Sequence, residues 1–278
     1  MFRTSLTNLK TVLIQKRGNR MIFQTKANAM KVIPVPVLED NYSYVVIDES
    51  TKEAAVVDPV EPEKVLPVVE QHGANLKHLI TTHHHSDHSG GNEKLVAQRE
   101  NLTVYGGEDR VPAVNHLVKD GEEFKIGNIV AKALFTLCHT RGSVSFFLQD
   151  KDDKVVFTGD TLFIGGCGRF FEGTADQMYN SLINVLGKLP EETKVYCGHE
   201  YTKGNLRFAE SIEPNNQALK DKIQWASKNQ QTVPSTIGDE LKFNPFMRVN
   251  VDDVKKATGK NDPIDVMGAL REMKNNFK

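Results

Sequence analysis

The residues best equipped for chemistry in this 278-residue chain crowd into positions 81–91: Thr81, Thr82, His83, His84, His85, Ser86, Asp87, His88, Ser89, Gly90 and Gly91. Four of them, His83, His85, Asp87 and His88, are ligand-capable side chains within six residues. In extended backbone, residues two apart point to the same side, so His83 and His85 can reach one ion. Asp87 and His88 then face another way and can serve a second ion, while His84 points away. A solvated polar loop would rarely gather so many imidazoles and a carboxylate beside a Gly90-Gly91 pair that lets the backbone turn. Imidazole with carboxylate is a borderline donor set suited to zinc, iron or manganese.

Three further candidates follow: His139 in Leu137-Cys138-His139-Thr140, Asp160 in Thr158-Gly159-Asp160-Thr161, and His199 in Cys197-Gly198-His199-Glu200. Each stands just past a strand-like run, where α/β proteins commonly place active-site groups. Taken singly, each is an ordinary loop residue. Taken with the dense motif they bring the donors to five histidines and two aspartates, a supply for two ions sharing one carboxylate. His72, His78 and His116 have no such setting and read as structural or surface residues. Cys138, Cys167 and Cys197 lie beside the site motifs without an arrangement for nucleophilic catalysis, and read as small buried packing residues.

The elements that must position these groups are mostly short β-type runs, at 32–37, 44–47 and 54–57, closed by turn residues such as Asp40-Asn41 and Asp58-Pro59. Residues 65–72 and 92–99 read as helices, and 78–82 as a short apolar strand between them. Strand-like pieces return at 102–105, 129–135, 145–148, 155–158 and 194–197. Strands with interspersed helices point to an α/β sandwich rather than a regular βαβ alternation. After about residue 200 the pattern turns helical, at 205–210, 217–229 and 264–275, punctuated by Pro214, Pro234 and Pro245. A boundary near residue 200 separates a mixed domain from a smaller helical one, with no internal repeat or low-complexity tract.

Hydrophobic residues at 39% and charged residues at 26% place the chain among soluble globular proteins. No run approaches the ~18 apolar residues of a membrane span. Three cysteines are too few for a disulfide scaffold or a paired-cysteine zinc finger, and fit a reducing compartment. Residues 1–30 carry Arg3, Lys10, Lys16, Arg17, Arg20 and Lys26 and no acid; with a net charge of −1 overall, those six charges leave −7 for residues 31–278. An acidic body argues against general nucleic-acid binding, which needs surplus Lys and Arg. The segment 1–29, with Phe2, Leu6, Leu9, Leu13 and Ile14 at roughly helical spacing, has the pattern of a mitochondrial presequence rather than a secretory signal. A basic disordered tail is the plainer alternative. The expected location is the mitochondrial matrix, and translation from Met30 would give a cytosolic form.

The run His83-x-His85-x-Asp87-His88, with His139, Asp160 and His199 in those contexts, resembles the metallo-β-lactamase superfamily and, within it, the hydroxyacylglutathione hydrolases (glyoxalase II). The likeness covers nearly all of residues 30–278. It includes Asp40-Asn41-Tyr42, Thr158-Gly159-Asp160-Thr161-Leu162-Phe163 and Gly166-Cys167-Gly168-Arg169-Phe170. It continues through Cys197-Gly198-His199-Glu200-Tyr201-Thr202 and Asn244-Pro245-Phe246-Met247-Arg248. The first motif is superfamily-wide; the later ones are much more specific. The resemblance implies an α+β fold, with an αββα sandwich over 30–200 and a smaller C-terminal α-helical domain over 201–278.

It further implies two divalent ions per chain, zinc foremost, with iron and manganese tolerated by the same donors. His83, His85 and His139 would hold the first, Asp87, His88 and His199 the second, and Asp160 would bridge them. The implied reaction is hydrolysis of an S-(2-hydroxyacyl)glutathione thioester, such as S-D-lactoylglutathione, to glutathione and D-lactate, the second step of methylglyoxal detoxification. Two dications lower the pKa of a shared water, so a hydroxide held by both metals would attack the carbonyl. One ion would then stabilise the oxyanion. A thiolate with a pKa of ~8.5 leaves without a compulsory general acid.

By the same resemblance Arg169, Phe170, Phe171, His199, Glu200, Tyr201, Arg271 and Lys274 form the glutathione site. Arg271 and Lys274 are three apart and fall on one helix face, where they can converge on one carboxylate. Relatives often have Lys at the position of Arg169 and Tyr at that of Phe171. The arginine changes donor geometry and the phenylalanine offers no hydroxyl, which bears on affinity rather than on the reaction. Among rivals, a persulfide dioxygenase with a single iron would not need the full second set of donors or the helical C-terminal region. A β-lactamase would leave that region unexplained, and a nuclease is disfavoured by the acidic body. A zinc-stabilised binding module would use a closed, Cys-rich set. The expected partner is the glutathione thioester, with no nucleic acid, no membrane and a monomeric chain.

Overall fold

The computed structural model describes residues 12–17, 20–25 and 30–277. Strands β1 (Val12–Arg17) and β2 (Arg20–Thr25) pair antiparallel. Leu13 and Ile14, expected at helical spacing, are therefore in extended backbone. The remainder of the segment read as a presequence lies outside the described residues.

The first sheet contains β3 (Met30–Val37), β4 (Asn41–Asp48), β5 (Glu53–Val57), β6 (Asn75–Ile80), β7 (Thr103–Gly106) and β8 (His116–Leu117), in that spatial order. β3, β4 and β5 are antiparallel neighbours; from β5 onward the pairing is parallel. Parallel neighbours need crossovers, and α1 (Pro62–Gln71) makes the first. The second crossover holds a single turn, α2 (Ser86–Ser89), and α3 (Asn92–Gln98).

In the second sheet β9 (Glu123–Ile126), β10 (Ile129–Phe135), β11 (Val144–Asp150) and β12 (Asp153–Gly159) form an antiparallel meander. A small pair, β13 (Leu162–Phe163) and β14 (Gly166–Cys167), follows. Next comes α4 (Ala175–Tyr179), which Thr174 opens with a reciprocal cap to Gln177, and a π-helical stretch, Asn180–Val185. β15 (Lys194–Cys197) then returns parallel to β12. β16 (Ser235–Thr236), from the C-terminal region, adds an antiparallel edge to β15.

Side chains alternate between two cores along these strands, as a period of two requires. Tyr44 and Val46 of β4, Ala55 and Val57 of β5, and Val155 and Phe157 of β12 meet between the sheets. Val45, Ile47, Ala54 and Val56 face outward onto Val65, Leu66 and Val69 of α1 and Leu95 of α3. Val156 and Val195 face outward on the other side, onto Met178, Leu182 and the C-terminal helices. The result is helix, sheet, sheet, helix. Strands covered on both faces carry nearly continuous apolar runs, which is why they were legible in sequence.

The C-terminal helices are α5 (Thr202–Ile212), α6 (Gln217–Ser227), α7 (Ile237–Phe243), α8 (Asp252–Thr258) and α9 (Pro263–Asn276). Phe208, Phe246, Val254, Val266, Met267 and Leu270 share one core with Val156 and Val195 of the sheet. That shared core lets α9 reach the site.

Candidate metal centre and substrate site

The ligand-capable residues stand just beyond the C-terminal ends of β6, β10, β12 and β15. Backbone bonds stitch those ends together: Val144 N–H donates to Thr82 O at 2.9 Å, Tyr42 N–H to Gly198 O at 2.8 Å and Gly198 N–H to Gly159 O at 2.9 Å. The chains run so close that a Cβ on Gly198 would lie 2.4 Å from Asp160 Oδ1. Gly159 has φ +47°, and a Cβ there would meet Thr82 Oγ1 at 2.4 Å. The extended path expected from His83 stops at His85. Residues 86–89 form a helical turn instead, and this is what swings Asp87 and His88 to their own side.

Three donor groups result, each with its atoms within 4.8 Å of one another: His83, His85 and His139; His83, His88 and Asp160; Asp87, His88 and His199. His85 Nδ1 faces His83 Nε2 and His139 Nε2, both at 3.1 Å. His88 Nε2 and His199 Nε2 are 3.3 Å apart. Asp160 lies between the groups, with Oδ1 3.2 Å from His88 Nε2 and Oδ2 3.5 Å from His139 Nε2 and 3.4 Å from His199 Nε2. His84 turns out of the cluster, as expected, with Nδ1 2.9 Å from Glu108 Oε1.

Electrostatics of the cluster favour cations. Burial holds the pKa values of His83, His85 and His139 below the usual imidazole range, which leaves neutral rings with lone pairs to donate. Burial also opposes charge on His88 and His199. There the carboxylates of Asp160 and its neighbours outweigh it, raising His88 and taking His199 to about 10. The hydrogen bond with His199 holds Asp87 below the carboxylate range. Burial opposes ionisation of Asp160, but the charge on His88 and the hydrogen bond from His199 keep it well below that range too. Asp160 Oδ1 is buried and, among the described residues, makes no well-aligned hydrogen bond, its near neighbour being His88 Nε2 at 3.2 Å. Three neutral imidazoles, and two more held by carboxylates whose negative charge a cation would share, fit divalent ions.

Several groups that hold the donors belong to turns that close the strands and are not among the predicted site residues. Asp58 Oδ2 lies 3.0 Å from His88 Nδ1, and Asp40 Oδ1 2.9 Å from His199 Nδ1. Asn41 Nδ2 donates to Asp87 Oδ2 at 3.1 Å. A carboxylate on the far ring nitrogen orients a ligand imidazole and raises its basicity. The signal available in sequence was the placing of Asp40-Asn41 and Asp58-Pro59 at strand ends.

Residues 38–199 match the family model described as the metallo-beta-lactamase superfamily, and residues 200–277 that of the hydroxyacylglutathione hydrolase C-terminus. An Arabidopsis thaliana protein named hydroxyacylglutathione hydrolase cytoplasmic is 49% identical over 257 residues, spanning 90% of this chain and 100% of its own. The chain belongs to the hydroxyacylglutathione hydrolase family. It is thereby an enzyme, placed among thioester hydrolases, in a superfamily that works with divalent metal ions. The solved structure of ETHE1 from Myxococcus xanthus superposes with a TM-score of 0.64 at 28% identity, covering 87% of this chain and 89% of that one. TTHA1623, in a di-iron-bound form, gives 0.55 at 25% identity, covering 77% and 99%.

In this hydrolase two exposed aromatic rings flank the cluster. Phe171 is 61% exposed, 5.1 Å from the His139 ring and 6.0 Å from that of His85. Tyr201 is 40% exposed and stacks on His199 at 4.5 Å. Phe170 packs against the C-terminal core, and Arg169 is exposed. Glu200, expected at the glutathione site, has its carboxylate occupied within the protein, accepting from Tyr42 Oη at 2.6 Å, Thr232 N at 2.8 Å and Thr232 Oγ1 at 2.7 Å. Arg271 is buried. Its Nη1 donates to Cys167 O at 2.9 Å and its Nε to Asn275 Oδ1 at 2.9 Å. Lys274, half-buried, donates to Gly204 O at 3.2 Å. Burial, then neighbouring positive charge, lowers both: Arg169 acts on Arg271, and Arg271 and Arg207 act on Lys274. The three cysteines are buried, and burial lifts each thiol to about 12, which removes them as nucleophiles.

Proposed function

We propose that this enzyme hydrolyses S-(2-hydroxyacyl)glutathione thioesters, S-D-lactoylglutathione among them, to glutathione and a 2-hydroxy acid, with two divalent ions, zinc foremost. The observation that carries the reading is the bond from Arg271 to the carbonyl of Cys167, two residues before Arg169. It draws the cations of α9 to the loop beside the seven-donor cluster, giving an anionic tripeptide a basic cradle next to a hydrolytic centre.

His83, His85 and His139 would hold one ion and Asp87, His88 and His199 the other, with Asp160 contributing to both. When bound, such a pair supplies Lewis acidity and lowers the pKa of water to near neutrality. The chain's own share is orientation. Asp58 and Asp40 aim the rings of His88 and His199, Asn41 steadies Asp87, and Phe171 and Tyr201 wall the space where the thioester would lie. Arg169 and Lys274 would pair with the carboxylates of glutathione. A thiolate is a good leaving group, so none of the buried, weakly acidic side chains need donate a proton. We further propose that the chain acts as a monomer and that its basic N-terminal segment directs it to the mitochondrial matrix.

The test is a thioester-cleavage assay with S-D-lactoylglutathione on metal-analysed protein, expected to show turnover with two ions per chain. An intact thioester with both ions loaded overturns the reading, as does full activity with one. Oxygen uptake with glutathione persulfide would instead mark a dioxygenase.

A further inference from the structure

Behind the metal-donor loop, polar side chains outside the donor set and the glutathione site form one continuous path. Glu108 Oε1 meets His84 Nδ1, and Glu108 Oε2 accepts from Arg110 Nε at 2.5 Å. Arg110 Nη1 and Nη2 donate to Glu172 Oε1 and Oε2, each at 2.6 Å. Glu172 Oε2 also accepts from the Arg141 backbone N–H at 2.8 Å. Glu172 N–H in turn donates to Cys138 O at 3.3 Å. The path therefore joins the loop of His83 and His85, the loop after β7, the loop of His139 and the segment that follows β14.

What it holds is the residue before Glu172. Phe171 is mostly solvent-exposed, and its ring neighbours among the described residues are His85 and His139. Burial does not fix such a side chain; its backbone must. On one side His139 Nδ1 lies 3.0 Å from Arg169 O, and on the other stands Glu172 with its guanidinium fork. Exposed ion pairs commonly contribute little, but bidentate geometry within a network is the exception. Arg110 and Glu172 side chains are only 27% and 29% exposed, and that of Glu108 10%. A Cβ on Gly142 would lie 2.3 Å from Glu108 Cδ, so the anchor at the centre of the path is tightly packed. Arg110 keeps Glu172 ionised, down to about 2.

We propose that Arg110 is a positioning residue: through its bidentate pair with Glu172 it holds Phe171 against the His85–His139 side of the centre, and so sets how tightly substrate is held. The effect on substrate rests on the thioester reading above. The effect on Phe171 does not, and the experiment separates them.

In a chain carrying Trp225→Phe and Phe171→Trp, the only tryptophan reports on position 171. Its fluorescence anisotropy should fall in the zinc-loaded protein on Arg110→Ala, and by less on Arg110→Lys, which keeps the charge but loses the fork. Unchanged anisotropy in both variants overturns the proposal whatever the enzyme hydrolyses. With native Phe171, Arg110→Ala and Glu172→Ala should each raise KM for S-D-lactoylglutathione roughly tenfold, the double variant no further, as expected of residues acting as one unit. Two ions per chain and a kcat within about twofold should persist in all of them. Multiplying KM effects, or loss of an ion in place of a KM change, would show that Arg110 does not act through Glu172 on substrate. A wild-type chain that leaves the thioester intact removes the substrate assignment alone, and the anisotropy then decides.

Discussion

Asp58 Oδ2 and His88 Nδ1 stand 3.0 Å apart, and this contact turns the other ring nitrogen of His88 toward Asp160 Oδ1, 3.2 Å away. Asp58 has φ 48°, a left-handed conformation that costs a non-glycine residue of order 1 kcal/mol. Its surroundings over-determine it. The carboxylate also accepts from Thr82 N at 2.8 Å and Thr82 Oγ1 at 2.6 Å, and the carbonyl accepts from Ser43 Oγ at 2.6 Å. Asp58→Ala should weaken metal binding by about 10–100-fold, the cost typical of losing such an outer partner. Chelator competition followed by metal analysis measures it, and two ions surviving the chelator as in the native chain would refute the role.

Asp160 lies within 3.5 Å of His139 on one side of the cluster and of His88 and His199 on the other, so Asp160→Asn should cost more than any single imidazole. The amide keeps the shape but removes the charge shared by His88, His139 and His199. Metal content should drop below two and turnover of the thioester should fall by at least about 100-fold. Near-normal activity with both ions bound would contradict the bridging assignment.

Arg271 and Lys274 separate into different roles. Lys274→Ala should raise KM with little change in kcat, the mark of lost uniform binding. Arg271→Ala should do this and also destabilise the fold by about 1–3 kcal/mol, because it leaves the buried Cys167 carbonyl without its donor. Substrate kinetics with urea denaturation distinguish them; equal stability of the two variants would argue against a bracing role for Arg271.

Glu240 is fully buried, and burial raises its carboxyl to about 7, despite hydrogen bonds from Ser235 Oγ at 2.6 Å, Gly165 N at 2.9 Å and Asn244 Nδ2 at 2.9 Å. Between pH 4.5 and about 7 the unfolded chain has released a proton that the folded chain keeps. This group's contribution to stability therefore falls as pH rises through that window and is level above it. The full difference corresponds to about 3 kcal/mol. Glu240→Gln should flatten that part of the profile, so unfolding midpoints of the two chains should converge near pH 4.5 and separate by pH 8. Parallel profiles would mean that the carboxyl titrates normally.

The basic segment 1–29 fused to a fluorescent reporter should give mitochondrial signal, and a chain starting at Met30 should not. Diffuse signal from the first fusion would end the targeting proposal.

The donors themselves were legible because ligand chemistry is a property of side-chain type, and four of the seven lie within six residues. The strands were legible where both faces are covered, as at Tyr44–Ile47 of β4 and Ala54–Val57 of β5, because side chains packed on both sides of a sheet are mostly apolar. β9 leaves little trace in the sequence, because Glu123-Phe124-Lys125-Ile126 alternates with a period of two over only four residues, with two charged side chains on its exposed face. β16 has two residues and exists only because β15 offers an open edge.

By itself the sequence determined which side chains could bind cations and which segments would form the layers, because both depend on local composition and periodicity. Which distant donors meet was implied in the sequence only through the family resemblance, and what aims them came from tertiary structure alone. His199 is 158 residues from Asn41 and 159 from Asp40, yet lies within hydrogen-bonding distance of both. Arg110 and Glu172 are 62 residues apart and share two bonds. Such pairs leave no periodic trace, since their spacing along the chain is set by how two sheets stack and where their strands end, and only the packed core brings them within reach.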